Sequence, residues 1–347
     1  MSSGIDESPG AKIDAMRGDD RQWAAEPTTR VAKAAAFFQR GGVAAFTVLI
    51  ILSITGSAIW PKFHTADNAR NLLLGNSYIG IVAIGMTFVI ITGGIDLSVG
   101  SVFALGGVAG VYANNHGGVF VAVLVTLAVC GAVGLLNGIL VGFAGLAPFI
   151  VTLATLFGVR GLVYQLTKAG STTYQVPPHS TFAHLGTGKW FTIGLPVFIA
   201  AMLFVLGHIV LERTRYGLAV QSIGGSESAA LLMGLKVRRT KVSIYVLSAM
   251  LAGIAGMLQA AGLTSASPII ATGYELQAIA AVVIGGTLLT GGSGSLLGTA
   301  AGVLLLGVNY SIIVELQLKT DWNNVVTGAF LIAVVIVQRV LNRTRAT

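Results

Sequence analysis

Cysteine occurs once in the 347 residues, at Cys130, which excludes a disulfide-stapled scaffold and any multi-cysteine metal finger. Charge is scarce as well. Asp, Glu, Lys and Arg make up 10% of the chain, against about 25% in an ordinary soluble domain. So little polar surface cannot keep a compact chain of this length in water. The five histidines, His64, His116, His179, His184 and His208, include no i, i+4 pair, so a metal site is not expected. Glycine is abundant, at 46 residues, but has no three-residue period, which rules out collagen. What the chain has in quantity is apolar side chains, 54% of the total. Length alone would suggest two or three soluble domains; composition overrules that and points to an all-α polytopic membrane protein.

The formal net charge of +8 raises the question of nucleic acid. The positions of the charges answer it. Of 21 Lys and Arg, 15 fall in three short segments, 1–42, 212–241 and 339–347, each flanking apolar runs. That is how cytoplasmic loops are marked under the positive-inside rule, and no helix-turn-helix, finger or basic zipper pattern accompanies it. No nucleic-acid partner is expected.

Residues 1–42 carry six acids and six bases without an apolar period, and read as a disordered cytoplasmic tail rather than a signal peptide. Apolar runs follow near 43–60, 76–92, 98–113, 119–142, 148–167, 191–211, 242–262, 276–290, 296–314 and 322–338. A helix needs about 20 apolar residues to cross hydrocarbon, and several of these runs are short and broken by glycine, so one or two could be half-spans. About ten transmembrane helices place the N-terminal tail, the 212–241 loop and the 339–347 tail on one side, with 43–338 as the transmembrane domain. Two glycine-rich stretches echo each other at a constant offset: Thr92-Gly93-Gly94 before Gly100-Ser101, and Thr290-Gly291-Gly292 before Gly298-Thr299. This is consistent with a two-half internal repeat, or with the sheer frequency of glycine; the span count gives both copies the same orientation, whereas an inverted repeat needs opposite ones.

Asp96 is the only acid between residues 68 and 211. A bare carboxylate at bilayer depth costs about 2.5–3.5 kcal/mol on insertion scales. Following two glycines, it could cap the helix that begins at Leu97 through free N–H groups near Ser98 and Val99, or it could face a translocated solute. Asn137, Thr152, Thr155, Gln259 and Asn309 are further polar groups within the runs. Each is a candidate for a translocation path, although hydrogen-bonded contact between helices is the commoner role of such residues. Glu275, near the start of a run, is a path candidate too, and Arg160 lies close enough to a helix end to snorkel or pair.

In the basic 212–241 loop, Ser226 suits an N-cap, Glu227 the positive start of a helix and Gly234 its C′ position. The enclosed two-turn helix, with Ala229 and Ala230, is too short to stand alone and must dock on something. It is either a loop held on the protein's own helices or a coupling element seated on a partner. Catalytic patterns are missing. There is no Gly-x-Ser-x-Gly elbow and no close carboxylate pair in the runs, and the chain has no G-x-x-x-x-G-K-[ST] phosphate loop. The chain is not expected to be an enzyme or to hydrolyse ATP.

The stretch Gly85–Gly100, the Gly224–Leu235 loop, Thr152-Leu153-Ala154-Thr155 with Arg160-Gly161, and Gly273–Ala280 with Gly285-Gly286-Thr287 together closely resemble the permease subunits of ribose-type ABC sugar importers. The match covers about residues 43–338 in the family's order. Ser226 stands where the family usually has Asn, Leu235 where Ile is common, and the long N-terminal tail is not typical. The resemblance implies an inner-membrane subunit in the ABC importer permease fold. It would move a monosaccharide or related polyol by alternating access, paired with a second permease copy or paralogue and supplied by a periplasmic sugar-binding protein. A separate ATPase would hold ATP and Mg²⁺, so no cofactor is expected on this chain. Ser226, Glu227, Ala229, Ala230 and Gly234 would then couple to that ATPase. A secondary transporter or channel working without ATP is the alternative.

Overall fold

The computed structural model describes residues 42–170, 173–177 and 179–319, together with 322, 325–329 and 332. The expected 1–42 tail falls almost wholly outside the described residues, and the 339–347 tail wholly so. The described chain is helical apart from two short ladders. In order it forms α1 (Val43–Ile59), α2 (Ala66–Ile91), α3 (Val99–Gly142), α4 (Pro148–Leu166), β1 (Tyr174–Gln175), α5 (Thr181–Thr187), β2 (Lys189–Trp190), β3 (Ile193–Gly194), α6 (Leu195–Arg213), α7 (Arg215–Gly225), α8 (Glu227–Leu232), α9 (Val237–Gly262), β4 (Ser265–Ala266), α10 (Tyr274–Ile284) and α11 (Leu296–Glu315). The strands pair antiparallel, Tyr174 opposite Ala266 and Lys189 opposite Gly194.

Among the described residues six helices are long and apolar enough to cross a membrane: α2, α3, α4, α6, α9 and α11. The gap between six and the ten apolar runs has specific causes. The run 322–338 lies largely outside the described residues. The 276–290 run is helical only as α10, because Gly285 and Gly286 end it: Gly286 has φ +92° and α11 passes so close that a Cβ on Gly285 would meet the Gly298 carbonyl. α1 is also short of the required length, at 17 residues.

α3 accounts for two runs. Its 44 residues would reach about 66 Å if straight, roughly twice the hydrocarbon thickness. It is instead a hairpin. At Gly118 the backbone leaves the helical region (φ 77°, ψ −175°), and the two arms come back on each other. Thr126 on the second arm faces the Gly106 carbonyl of the first, Cys130 faces Val102, and Asn137 faces Ser98. α9 lies in the cleft between the arms, parallel to the first, where Gly106 meets Gly253 and Gly110 meets Met257. It runs antiparallel to the second, where Gly134, Gly138 and Gly142 meet Tyr245, Val242 and Arg238. Glycines four apart share one helix face and let two backbones approach to contact, the usual adhesive of helices in lipid, where burying apolar surface gains nothing between them.

α2 is the central helix: from Ser77 to Ile91 every residue is buried. It is apolar on all sides because it is surrounded by α9, α11, α6 and α10. Outward-facing bulk sits on other helices, including Ile50 and Ile54 of α1, Phe149 and Phe157 of α4, and Val205 of α6. These exposed apolar faces suit a chain whose solvent is lipid. The two Thr-Gly-Gly stretches touch: the Gly292 amide donates to the Ile91 carbonyl at 2.8 Å, and Thr87 and Thr299 hydroxyls bond at 2.8 Å. Both copies therefore lie at the same end of the bundle, the end that carries α7 and α8.

The glycine face makes a testable distinction. A Cβ at Gly138 would stand 2.7 Å from the Val242 Cα, so Gly138→Val should destabilise the chain by about 3 kcal/mol or more. Gly158 of α4 has open space around it, and Gly158→Ala should be neutral or stabilising by up to about 1 kcal/mol. Thermal unfolding of both variants in detergent would show whether these contacts hold the bundle together.

Candidate functional site

Three places carry polar chemistry. The first is a closed network deep in the bundle. Asp96 is 1% exposed. Its Oδ1 accepts from the Ser98 amide at 3.0 Å and the Ser98 hydroxyl at 2.6 Å, and its Oδ2 accepts from the Ser248 hydroxyl at 3.0 Å. Asn137 donates to the Ser98 hydroxyl at 3.0 Å, and Thr155 donates to the Asn137 carbonyl at 2.6 Å. Thr152 donates to the Ile95 carbonyl at 3.2 Å. Four candidates named from the sequence, Asp96, Asn137, Thr152 and Thr155, are thus brought together, tying the non-helical turn 92–98 to α3, α4 and α9. Thr155 bonds Asn137 directly, Ser98 bridges Asn137 to Asp96, and Thr152 bonds backbone carbonyls; none of the four lines the cavities described below. Non-helical backbone at this depth is tolerated because it is buried in protein and satisfied there.

The second place is the basic end. Ser226 caps α8, its hydroxyl accepting from the Ala229 amide at 3.2 Å, and Gly234 closes the turn at φ +78°. Ala230 points inward, fully buried in a small core with Ile223 and Val237. Glu227 is engaged by Lys241 at 2.7 Å. Both face the chain's own residues, so the outward surface of the element is made by residues not singled out from the sequence: Leu231, Leu232 and Met233, with Leu232 91% exposed, beside Ala229. The exposed Lys236, Arg238 and Arg239 flank this apolar tip. α7 is anchored by Tyr216, whose hydroxyl bonds Ser243 at 2.8 Å. Burial pushes that phenol's pKa up, while the Ser243 bond pulls it the other way.

The third place lies at the other end of α2. A cavity of about 690 Å³ opens between α2, α9, α10 and α11. Five carboxamides line it, Asn68, Asn71, Asn76, Gln259 and Gln277, with the phenols of Tyr274 and Tyr310; among the described residues no charged side chain does. Asn68 accepts from Ser311 at 3.0 Å and Asn76 donates to the Leu72 carbonyl at 2.7 Å. The Gln259 Oε1 and Thr327 Oγ1 atoms are buried without a hydrogen-bond partner. A neighbouring cavity of about 560 Å³ shares Asn71, Gly75 and Gln259 and carries the Asp67–Arg70 ion pair, 2.9 Å, and Lys189.

Of the remaining candidates, Asn309 is buried on α11 outside both cavities. Glu275, on the first turn of α10, sets its Oε2 against Gly100 without a hydrogen-bond partner. Arg160 donates to the Pro268 and Ile270 carbonyls at 2.6 and 3.0 Å. Asn68, Asn71 and Gln277 were not read from the sequence, since amides near helix starts look like ordinary surface residues. Among the described residues no group of three or more His, Cys, Asp or Glu is placed to hold a metal ion.

The family model for "Branched-chain amino acid transport system / permease component" matches residues 68–335. The chain is 35% identical over 307 residues to the fructose import permease protein of Bifidobacterium longum, covering 86% of this chain and 90% of that one. It is 39% identical over 261 residues to the ribose import permease protein of Escherichia coli strain K12, covering 75% and 81%. To the L-arabinose transport system permease protein of the same strain it is 35% identical over 301 residues, covering 86% and 91%. No solved structure matches the chain.

The network predicts different outcomes at one position. Asp96→Ala leaves the Ser98 amide, the Ser98 hydroxyl and the Ser248 hydroxyl without their acceptor, at about 1–3 kcal/mol for each orphaned group. Asp96→Asn keeps an acceptor and should retain most of the stability. Thermal midpoints in detergent, with Asp96→Ala well below Asp96→Asn, would bear this out; equal midpoints would count against it.

Proposed function

The chain belongs to the branched-chain amino acid transport system / permease component family, and on that premise we propose that it is the membrane-spanning subunit of an ATP-driven importer for a neutral monosaccharide or related polyol. The family description mentions amino acids, while the three relatives are named for fructose, ribose and arabinose. The cavity at the far end of α2 supports the sugar reading. An amino acid carries an ammonium and a carboxylate, each needing a counter-charge in a low-dielectric site. Carboxamides that donate and accept, with two phenols for the apolar faces of a ring, suit a neutral polyol. This amide-lined wall, uncharged among the described residues, is the observation that carries the substrate reading.

Energy enters at the opposite end. The chain has no phosphate loop of its own, so a separate ATPase is the partner, and the exposed tip Leu231–Met233 is the surface that would seat in it. An apolar knob ringed by cations on a short capped helix is a helix-in-groove ligand. Ser226, Gly234, Glu227 and Ala230 shape that knob from within, and Ala229 belongs to its outward face. A second permease, identical or paralogous, and a periplasmic sugar-binding protein complete the assembly, in the cell inner membrane. α8 and both termini are cytoplasmic in this reading. Counting the arms of α3 separately and adding α1, α10 and the 322–338 run gives ten spans and satisfies that sidedness.

Leu232→Asp with Met233→Asp should weaken retention of the ATPase in mild detergent about 30-fold or more, the scale of hot-spot loss. It should also stop uptake without lowering the thermal midpoint of the isolated chain. Uptake in cells should cease on ATP depletion and survive collapse of ion gradients; the reverse pattern would make the chain a secondary transporter. Gln259→Leu, which removes a hydrogen-bonding group from the cavity, should raise KM for the sugar about 3- to 10-fold. An unchanged KM would place the solute elsewhere.

A further inference from the structure

Glycine pairs occur at Gly93-Gly94, Gly224-Gly225 and Gly291-Gly292, and the fold brings these three turns to one point. The Gly292 amide donates to the Ile91 carbonyl at 2.8 Å. A Cβ built on Gly224 would fall on that same carbonyl oxygen and lie 2.5 Å from the Gly292 nitrogen. A Cβ on Gly292 would stand 3.0 Å from the Gly225 Cα, and one on Gly291 would stand 2.9 Å from the Gly93 nitrogen. The C-terminus of α7 is therefore pressed, backbone on backbone, against the place where α2 ends and the stretch leading into α11 begins. The next residue along, Ser226, caps α8.

The elements that meet here reach both working ends of the molecule. α8 carries the apolar tip on one side of the joint. α2 and α11 leave from the other side, tied again by Thr87 and Thr299 at 2.8 Å. Their far ends supply Asn68, Asn71 and Asn76, and Tyr310 and Ser311, to the wall of the amide-lined cavity. Two packed helices spanning some 15–20 residues from joint to cavity make levers about 25–30 Å long. Packed backbones without side chains between them leave no soft layer to absorb a displacement.

We propose that the Gly224–Ile91–Gly292 contact is the coupling joint of this permease: displacement of α8 by the partner is passed through it to α2 and α11, and so to the walls of the solute cavity. This rests on the importer reading above. Gly224, Gly291 and Gly292 are positioning residues; none touches solute or nucleotide.

A built-in control sits beside the key residue. Gly225 has open space where a Cβ would go, while Gly224 has none. The test uses the full permease–ATPase complex reconstituted in vesicles with its binding protein, reading sugar moved per ATP hydrolysed. G225A should match the wild type. G224A should retain the ATPase and hydrolyse ATP, yet move about tenfold less sugar per ATP, since tenfold corresponds to about 1.4 kcal/mol of lost coupling. A wild-type ratio in G224A, including the case in which transport and hydrolysis fall together, overturns the proposal. If G224A does not assemble, T87V with T299V carries the test, because it loosens the α2–α11 tie without adding bulk or orphaning either hydroxyl's partner. A ratio lowered about threefold then supports the joint, and a wild-type ratio overturns it. A wild-type chain that retains no ATPase sinks the importer reading and the joint together, whereas a working complex with an unaltered ratio in these variants sinks the joint alone.

Discussion

One backbone hydrogen bond, from the Gly292 amide to the Ile91 carbonyl, sets the terms for much of the remaining structure. A chain in lipid has no water to satisfy a broken helix, and each unmatched amide at depth costs several kcal/mol. Besides the hairpin turn at Gly118, this chain breaks its helices after Ile91 and after Ile284. It can do so because the two interruptions face each other and are enclosed by α7, α9 and α3. That enclosure requires glycine wherever backbones touch. It also requires α2 to be apolar on every side, and it requires an acceptor at Asp96 for the amide and hydroxyls left free at the start of α3.

The same constraint explains which parts of the fold could be read in advance. The break in α3 was legible, because Asn114-Asn115-His116-Gly117-Gly118 interrupts two apolar runs and the hairpin follows. The local bond between Asp96 and the Ser98 amide was legible for the same reason: it spans two residues. The rest of the Asp96 network was not. Ser248 is 152 residues away and Asn137 bonds across 39, and neither separation leaves a trace in periodicity. Asp96 read more readily as a cap, and Asn137, Thr152 and Thr155 as helix contact, than as a solute path; only the structure shows that Ser98 links Asp96 to Asn137 and that Thr155 joins them.

At the basic end, the helix boundaries were legible from Ser226 and Gly234, but its inner and outer faces were not. Six residues are less than two turns, too few for an apolar period, so Ala230 could not be told from Leu232. The structure separates them by burial. A similar limit applied to the cavity. Gln259 stood out as an amide within an apolar run, whereas Asn68 and Asn71 sit on the first turns of α2, where asparagine is commonplace. Their meaning comes from convergence with Gln277 and Tyr310, which lie more than 200 residues further along.

The burial of Cys130 has a practical side. Its thiol is sealed in the cleft of the α3 hairpin, against the Val102 carbonyl and Gly253, and no second cysteine exists in the chain. The natural protein is therefore already a silent background for thiol-directed probes. A maleimide or spin label on a cysteine introduced at the tip of α8 or at the mouth of the amide-lined cavity would report from that place alone, with no native residue removed first.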